Sequence, residues 1–137
     1  MDFVADHMCF ACGEDNPIGL KLTFTQDGDA YVTTFIADRV YQGYEGVVHG
    51  GILATLLDEI MARYVWVKAG PAATARLEIR YRRPAPTGCP IEVRGWITAE
   101  RRNGRVFETA AVARLADGAI LAEATGLVMR TGAASGE

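Results

Sequence analysis

Histidine and cysteine are scarce in this chain, with two and three residues among 137. The odd cysteine number excludes a fully paired disulfide framework, and the sequence does not open with a charged stretch followed by an apolar one, so a cytoplasmic setting is expected. Positive charge is not in excess either. The 14 Lys and Arg against 17 Asp and Glu leave a net charge of -3, which excludes recognition of nucleic acid by bulk charge. Asp58, Glu59 and Arg63 interrupt the longest apolar stretch well short of the ~20 residues that cross a bilayer, so no membrane span is expected. Internal repeats are also missing.

What remains is a chain half apolar in composition, long enough to bury one core without metals or disulfides. A single domain is expected over residues 1–131, with 132–137 as a flexible small-residue tail. Residues 20–26 and 30–37 read as strands joined at Asp27-Gly28, a dipeptide suited to a tight turn. From Ile52, apolar residues fall at 52, 53, 56, 57, 60, 61 and 64, the spacing of one helix face, and Gly70-Pro71 supplies a stop. Period-two alternation over 73–82, then segments 90–100, 105–116 and 119–130 with turns at Asn103-Gly104 and Asp117-Gly118, predict four more strands. The fold class is α+β: an antiparallel sheet of about six strands wrapped around one long helix. One helix covers one sheet face, whereas the strand at 105–115 carries small or apolar residues on both. A second subunit is therefore expected to cover the other.

The helix opens on His49-Gly50-Gly51. A helix entrance leaves about four N–H groups without partners and carries roughly half a positive charge. Glycine there lets a carbonyl approach the amide without meeting a Cβ, although the same residues would also serve a sharp turn. Asp58 falls away from the centre of the apolar stripe, between Ala54 and Ala62, and is expected to be partly enclosed. Glu59 lies four residues before Arg63 and reads as a surface ion pair. Eight residues from Gly50 to Asp58 rise about 12 Å, too far for one reacting carbonyl to touch both. A site shared between two subunits follows.

His49-Gly50-Gly51 followed by Asp58 in an apolar helix resembles the signature of hotdog-fold acyl-CoA thioesterases, and of the phenylacetyl-CoA-thioesterase-like branch in particular. "CFACGEDNPIGLKL" at 9–22 and "TARLEIRYRRPAPTG" at 74–88 are similar to the opening and to the post-helix strand of such proteins, so nearly the whole chain takes part. The resemblance implies a hotdog fold, a homodimer or dimer of dimers, and acyl-CoA as substrate with no added cofactor. It assigns Asp58 as nucleophile or general base, Gly50 or Gly51 as oxyanion donor, and His49 as a supporting residue. Thr74 is then placed to bond the acid or the water. Relatives often carry an amide side chain several residues before the histidine. Here Gly43 takes that register, and Gln42 beside it is the expected substitute. Coenzyme A carries phosphates, for which Arg80, Arg82 and Arg83 are the candidate contacts. Tyr41, Tyr44, Met61 and Trp66 are candidates for lining the acyl pocket.

His7, Cys9 and Cys12 form H-x-C-x-x-C, a spacing at which thiolates share a zinc ion. With Cys89 far away and no second C-x-x-C, packing is favoured and no metal is expected. Two other activities compete with hydrolysis. A non-catalytic acyl-CoA binding module would need no acid, and a hydratase or dehydratase of the same fold would couple His49 with Asp58.

Overall fold

The computed structural model describes residues 3–131, so the expected tail at 132–137 lies outside the described residues. Strands β1 (Thr25–Asp27) and β2 (Ala30–Ile36) precede helix α1 (Gly50–Ala69). Strands β3 (Ala72–Tyr81), β4 (Pro90–Arg101), β5 (Val106–Leu115) and β6 (Ile120–Arg130) follow it. All pairings are antiparallel, in the order β1-β2-β4-β5-β6-β3. Because β3 follows the helix yet pairs only with β6, it forms one edge of the sheet. Among the described residues no helix is long and apolar enough to cross a membrane.

The apolar periodicity of α1 becomes its packed face: Leu53, Leu56, Leu57, Ile60, Met61, Tyr64 and Val65 are buried. Each such side chain contributes about 1.5–3 kcal/mol through removal from water. Leu53, Leu56, Leu57, Ile60 and Met61 meet Ile91 and Val93 of β4, Ala111 and Ala113 of β5, and Leu121, Ala122 and Ala124 of β6 in one core cluster, and Val65 packs with Ala72, Phe107 and Val128 in a second. Contact is closest at Gly95, where a Cβ would lie 2.9 Å from Ile60 Cγ2. Glycine there lets the helix lie directly on β4. Gly70 ends the helix with φ 96°, and its N–H donates to the Trp66 carbonyl at 2.8 Å.

One strand expectation needs correction. The strand expected at 20–26 is ordered as β1 only from Thr25. Leu20 and Leu22 donate instead to the Phe10 and Ala11 carbonyls at 2.8 and 2.9 Å, because the amino-terminal turn offers those acceptors first. The outer face of β5 carries small and apolar residues beside charged neighbours. Ala110 and Val112 are half-buried and line a groove with Glu78, Arg80, Trp96 and Glu123. The ion pair Arg82–Glu123 lines that groove, and the pairs Arg114–Glu92 and Arg101–Glu108 link β4 to β5 beyond it. Ala110 and Val112 thus stay half-buried in the groove between charged neighbours.

Candidate functional site

His49 caps α1. Its Nδ1 accepts from the Gly51 N–H at 2.8 Å, so the imidazole is in the tautomer with hydrogen on Nε2 and one orphan donor of the first turn is satisfied. This consumes the Gly51 amide. No hydrogen bond reaches the Gly50 N–H among the described residues, so that amide is the free donor at the helix entrance. Tyr81, at the end of β3, donates to the Gly50 carbonyl at 2.8 Å and ties the entrance to the edge strand. Alternation puts Tyr81 on the apolar side of its strand and gives no sign of this bond. The pairing spans 31 residues, and no local signal records it.

Around this entrance Gly43, Tyr44, Val47, His49, Gly50 and Tyr81, with Arg82 and Arg83, line a cavity of about 600 Å³. Gln42 lies just before the helix entrance, beside Gly43. Its Oε1 accepts from Gly46 N at 3.3 Å and closes the loop before the helix. Of the three arginines, Arg82 and Arg83 flank the cavity, whereas Arg80 lines the groove on the outer sheet face. Arg82 donates through Nε and Nη2 to Glu123 at 3.0 and 2.8 Å. Arg83 has no ion-pair partner among the described residues and lines the cavity.

Asp58 occupies the opposite end of the expected chemistry. It is half-buried, and its Oδ1 accepts from Thr74 Oγ1 at 2.6 Å. Thr74 lies on β3 immediately before a break in the β3–β6 register between Thr74 and Arg76. The helix and the edge strand therefore hold the acid between them, with the short length of the bond typical of an O–H donor to a carboxylate. The four residues expected to line an acyl pocket separate. Met61 is in the core, where it accepts from Thr109 Oγ1 at 3.2 Å. Tyr41 packs edge-on against Phe35. Tyr44 is exposed beside the entrance, and Trp66 lines a second cavity under the amino-terminal segment.

Glu59 departs from its expected role. No Glu59–Arg63 ion pair forms among the described residues, because the segment around Cys9 and Cys12 covers this side of the helix. Burial pushes the Glu59 carboxyl up, with Asp58 adding to the rise and the Cys12 thiol and Arg63 opposing it. Burial likewise pushes the Cys12 thiol up, reinforced by Glu59 and then by Cys9. His7 turns to Glu14, with Nδ1 3.7 Å from a carboxylate oxygen.

Residues 45–120 match the model of the thioesterase superfamily. The chain is 26% identical over 123 residues to an acyl-coenzyme A thioesterase, THEM4, of Bos taurus, covering 88% of this chain and 50% of that protein. Protein RHA08564, a thioesterase superfamily protein of known structure, superposes with a TM-score of 0.81 at 28% identity, over 90% of this chain and 60% of that one. A mutant of the phenylacetic acid degradation protein PaaI from Thermus thermophilus superposes with a TM-score of 0.72 at 25% identity, over 82% and 95% of the two chains. The chain thus spans about half the length of the curated relative. The six-stranded sheet around one main helix is the hotdog fold of these proteins.

Proposed function

The chain belongs to the thioesterase superfamily, and we propose that it hydrolyses an acyl-CoA thioester to a carboxylic acid and free coenzyme A. The observation that carries this proposal is Asp58. An acid on the long apolar helix, half-buried and oriented by Thr74, has no role in the core, whose packed residues lie on another side of α1.

In the proposed reaction, Thr74 occupies one carboxylate oxygen of Asp58 and leaves the other to take a proton from water. The water oxygen bonds to the thioester carbon, and negative charge grows on the carbonyl oxygen. A Gly50 N–H, aided by the helix dipole, stabilises that charge. Collapse of the tetrahedral species expels the coenzyme A thiolate, which takes up a proton. Direct attack by Asp58 would instead pass through an anhydride. A single turnover in ¹⁸O-water detects the direct route when water opens the anhydride at the aspartyl carbon, since the first product then carries the enzyme's own unlabelled oxygen, and trapping the anhydride with hydroxylamine detects it when water attacks the acyl carbon. Because Gly51 N–H engages the His49 Nδ1, only Nε2 is left for the acid/base couple that a hydratase needs, which supports the hydrolytic reading.

The Gly50 amide and Asp58 lie about 12 Å apart along α1, so the amide is proposed to come from a second subunit. Support comes from β3, an edge strand of 10 residues whose Leu77 is 36% exposed. A long edge of this kind favours pairing with another strand, and β3 is the strand that holds Thr74 beside Asp58. Arg83 is proposed to meet the nucleotide phosphates at the mouth of the Gly50 cavity.

A thiol-release assay over short, medium and aryl acyl-CoAs, run beside Asp58→Asn and combined with native mass measurement, tests this proposal. Hydrolysis that largely disappears in the variant, by a dimeric or larger protein, is expected. Equal rates in the two proteins remove Asp58 from catalysis, and an active monomer removes the shared site.

A further inference from the structure

The segment from Phe3 to Gly19 is held against α1 with little core of its own. Ala11 is its one buried apolar side chain, while Phe3, Val4, Met8, Phe10 and Ile18 are exposed. Even so, its backbone is tightly wound at the C-x-x-C. Gly13 N–H donates to the Cys9 carbonyl at 2.8 Å, and Cys12 N–H points to Cys9 Sγ at 3.5 Å. Gly13 has no room for a side chain, since a Cβ would lie 2.4 Å from Cys9 N. The turn presents both sulfurs to Glu59, and one ligand atom from each of Cys9, Cys12 and Glu59 lies within 4.8 Å of the other two.

We propose that Cys9, Cys12 and Glu59 form a site for a zinc-class divalent cation that staples the amino-terminal segment to α1. Tetrahedral zinc with Zn–S near 2.3 Å separates two sulfurs by about 3.8 Å, so the three donors need to close by only about 1 Å to share an ion. Both cysteines lose their protons to solvent on binding, and water fills the fourth position. The charge balance fits. Two thiolates and a carboxylate exceed a divalent cation by one negative charge, and Arg63 supplies the positive one. Its Nε is buried without a hydrogen-bond partner and the residue lines the same cavity. Cys9 is exposed, which gives an ion a route in. Sequence spacing favours packing for these cysteines because the third donor lies 47 positions further on, where only the fold brings it near.

The test uses the full chain, reduced, without an affinity tag and stripped with a chelator. Zinc titration is expected to saturate at one ion per chain and to protect residues 3–19 from limited proteolysis. Cobalt is expected to give the near-ultraviolet charge-transfer band of thiolate ligation. Cys9→Ser with Cys12→Ser should abolish both results, and Glu59→Gln should weaken zinc binding by about tenfold or more. Circular dichroism checks that each variant folds, and the wild-type cobalt spectrum stands alone should one fail. No saturable binding by the wild type, binding without the thiolate band, or equal binding by the double cysteine variant overturns the proposal.

Discussion

Thr74 Oγ1 donates to Asp58 Oδ1 at 2.6 Å across the gap between the edge strand and the helix. One hydroxyl therefore fixes which oxygen of the acid remains available and which way it faces. Strand and helix are covalently joined only through Gly70-Pro71, so this bond also holds the start of β3 against α1.

If Asp58 removes a proton from water, Asp58→Asn should lower kcat by about 10²–10⁴-fold with little change in KM for acyl-CoA. Thr74→Ala keeps the carboxylate but frees it to rotate. Its kcat should fall by about tenfold, the equivalent of losing one ordinary hydrogen bond. Thr74→Ser restores the donor and should recover most of that loss. Stopped-time thiol release on the three variants checks the order, and a Ser variant no better than Ala would remove the orienting role.

Gly50→Ala separates steric demands of folding from those of substrate approach. A Cβ at Gly50 would meet Tyr81 Oη at 3.6 Å, an ordinary contact, and alanine is the better helix former. The variant should melt at or above the wild-type temperature. Its kcat/KM should nevertheless drop by about 100-fold, because a methyl group would stand beside the proposed oxyanion donor. Gly51→Ala has the opposite signature. Its Cβ would lie 3.0 Å from His49 Nδ1, so the cap shifts and thermal stability falls.

The helix is legible in the sequence because its apolar spacing is long and regular, and the packed residues from Leu53 to Tyr64 lie where that spacing puts them. Asp58 is legible for the complementary reason: a charged residue off the apolar stripe yet flanked by alanines. Glu59 is not. Its four-residue distance from Arg63 is a valid local signal, but residues near Cys9 and Cys12 cover α1 through a contact remote in sequence, which no local pattern encodes. Tyr81 illustrates the same limit, since alternation along β3 gives a face and not a partner. The outer β5 surface also sits among charges that its own pattern does not show, since Glu92 of β4 pairs with Arg114 and Glu123 of β6 pairs with Arg82.

His49 should prove structural. It accepts from Gly51 N–H, as an N-cap asparagine would. His49→Asn is therefore expected to keep stability and most of the hydrolytic rate, while His49→Ala should lose about 1 kcal/mol of folding free energy. Denaturant unfolding of both variants beside their kcat values distinguishes a cap from a base. A catalytic base would be lost equally in each.

The arginines divide by location. Arg83 flanks the Gly50 cavity, and Arg80 faces the outer groove. Arg83→Ala should raise KM for acyl-CoA by about tenfold, the worth of one charge-assisted hydrogen bond. The same acyl group on pantetheine, which lacks the nucleotide, should show no change. Arg80→Ala should leave both substrates unaffected. An Arg83 effect that persists with the pantetheine thioester would place this residue against the acyl end instead.

Glu59 links stability to pH with a definite sign. Its folded-state carboxyl is raised above the ordinary value of 4.5, first through burial. Below that value both folded and unfolded chains carry the proton, and burial of the group costs little. As pH rises through the folded-state value, the unfolded chain ionises more readily, and the metal-free protein loses stability. Glu59→Gln removes the charge and the penalty. In chelator-treated, reduced protein the variant should therefore melt above the wild type at neutral pH, and the gap should close as pH falls below about 4.5. Added zinc should reverse the neutral-pH order, because the wild-type carboxylate then becomes a ligand and the amide does not replace it. Thermal unfolding at two pH values, with and without zinc, measures both effects. A variant less stable than wild type in the metal-free state would mean that Arg63 already compensates the buried charge.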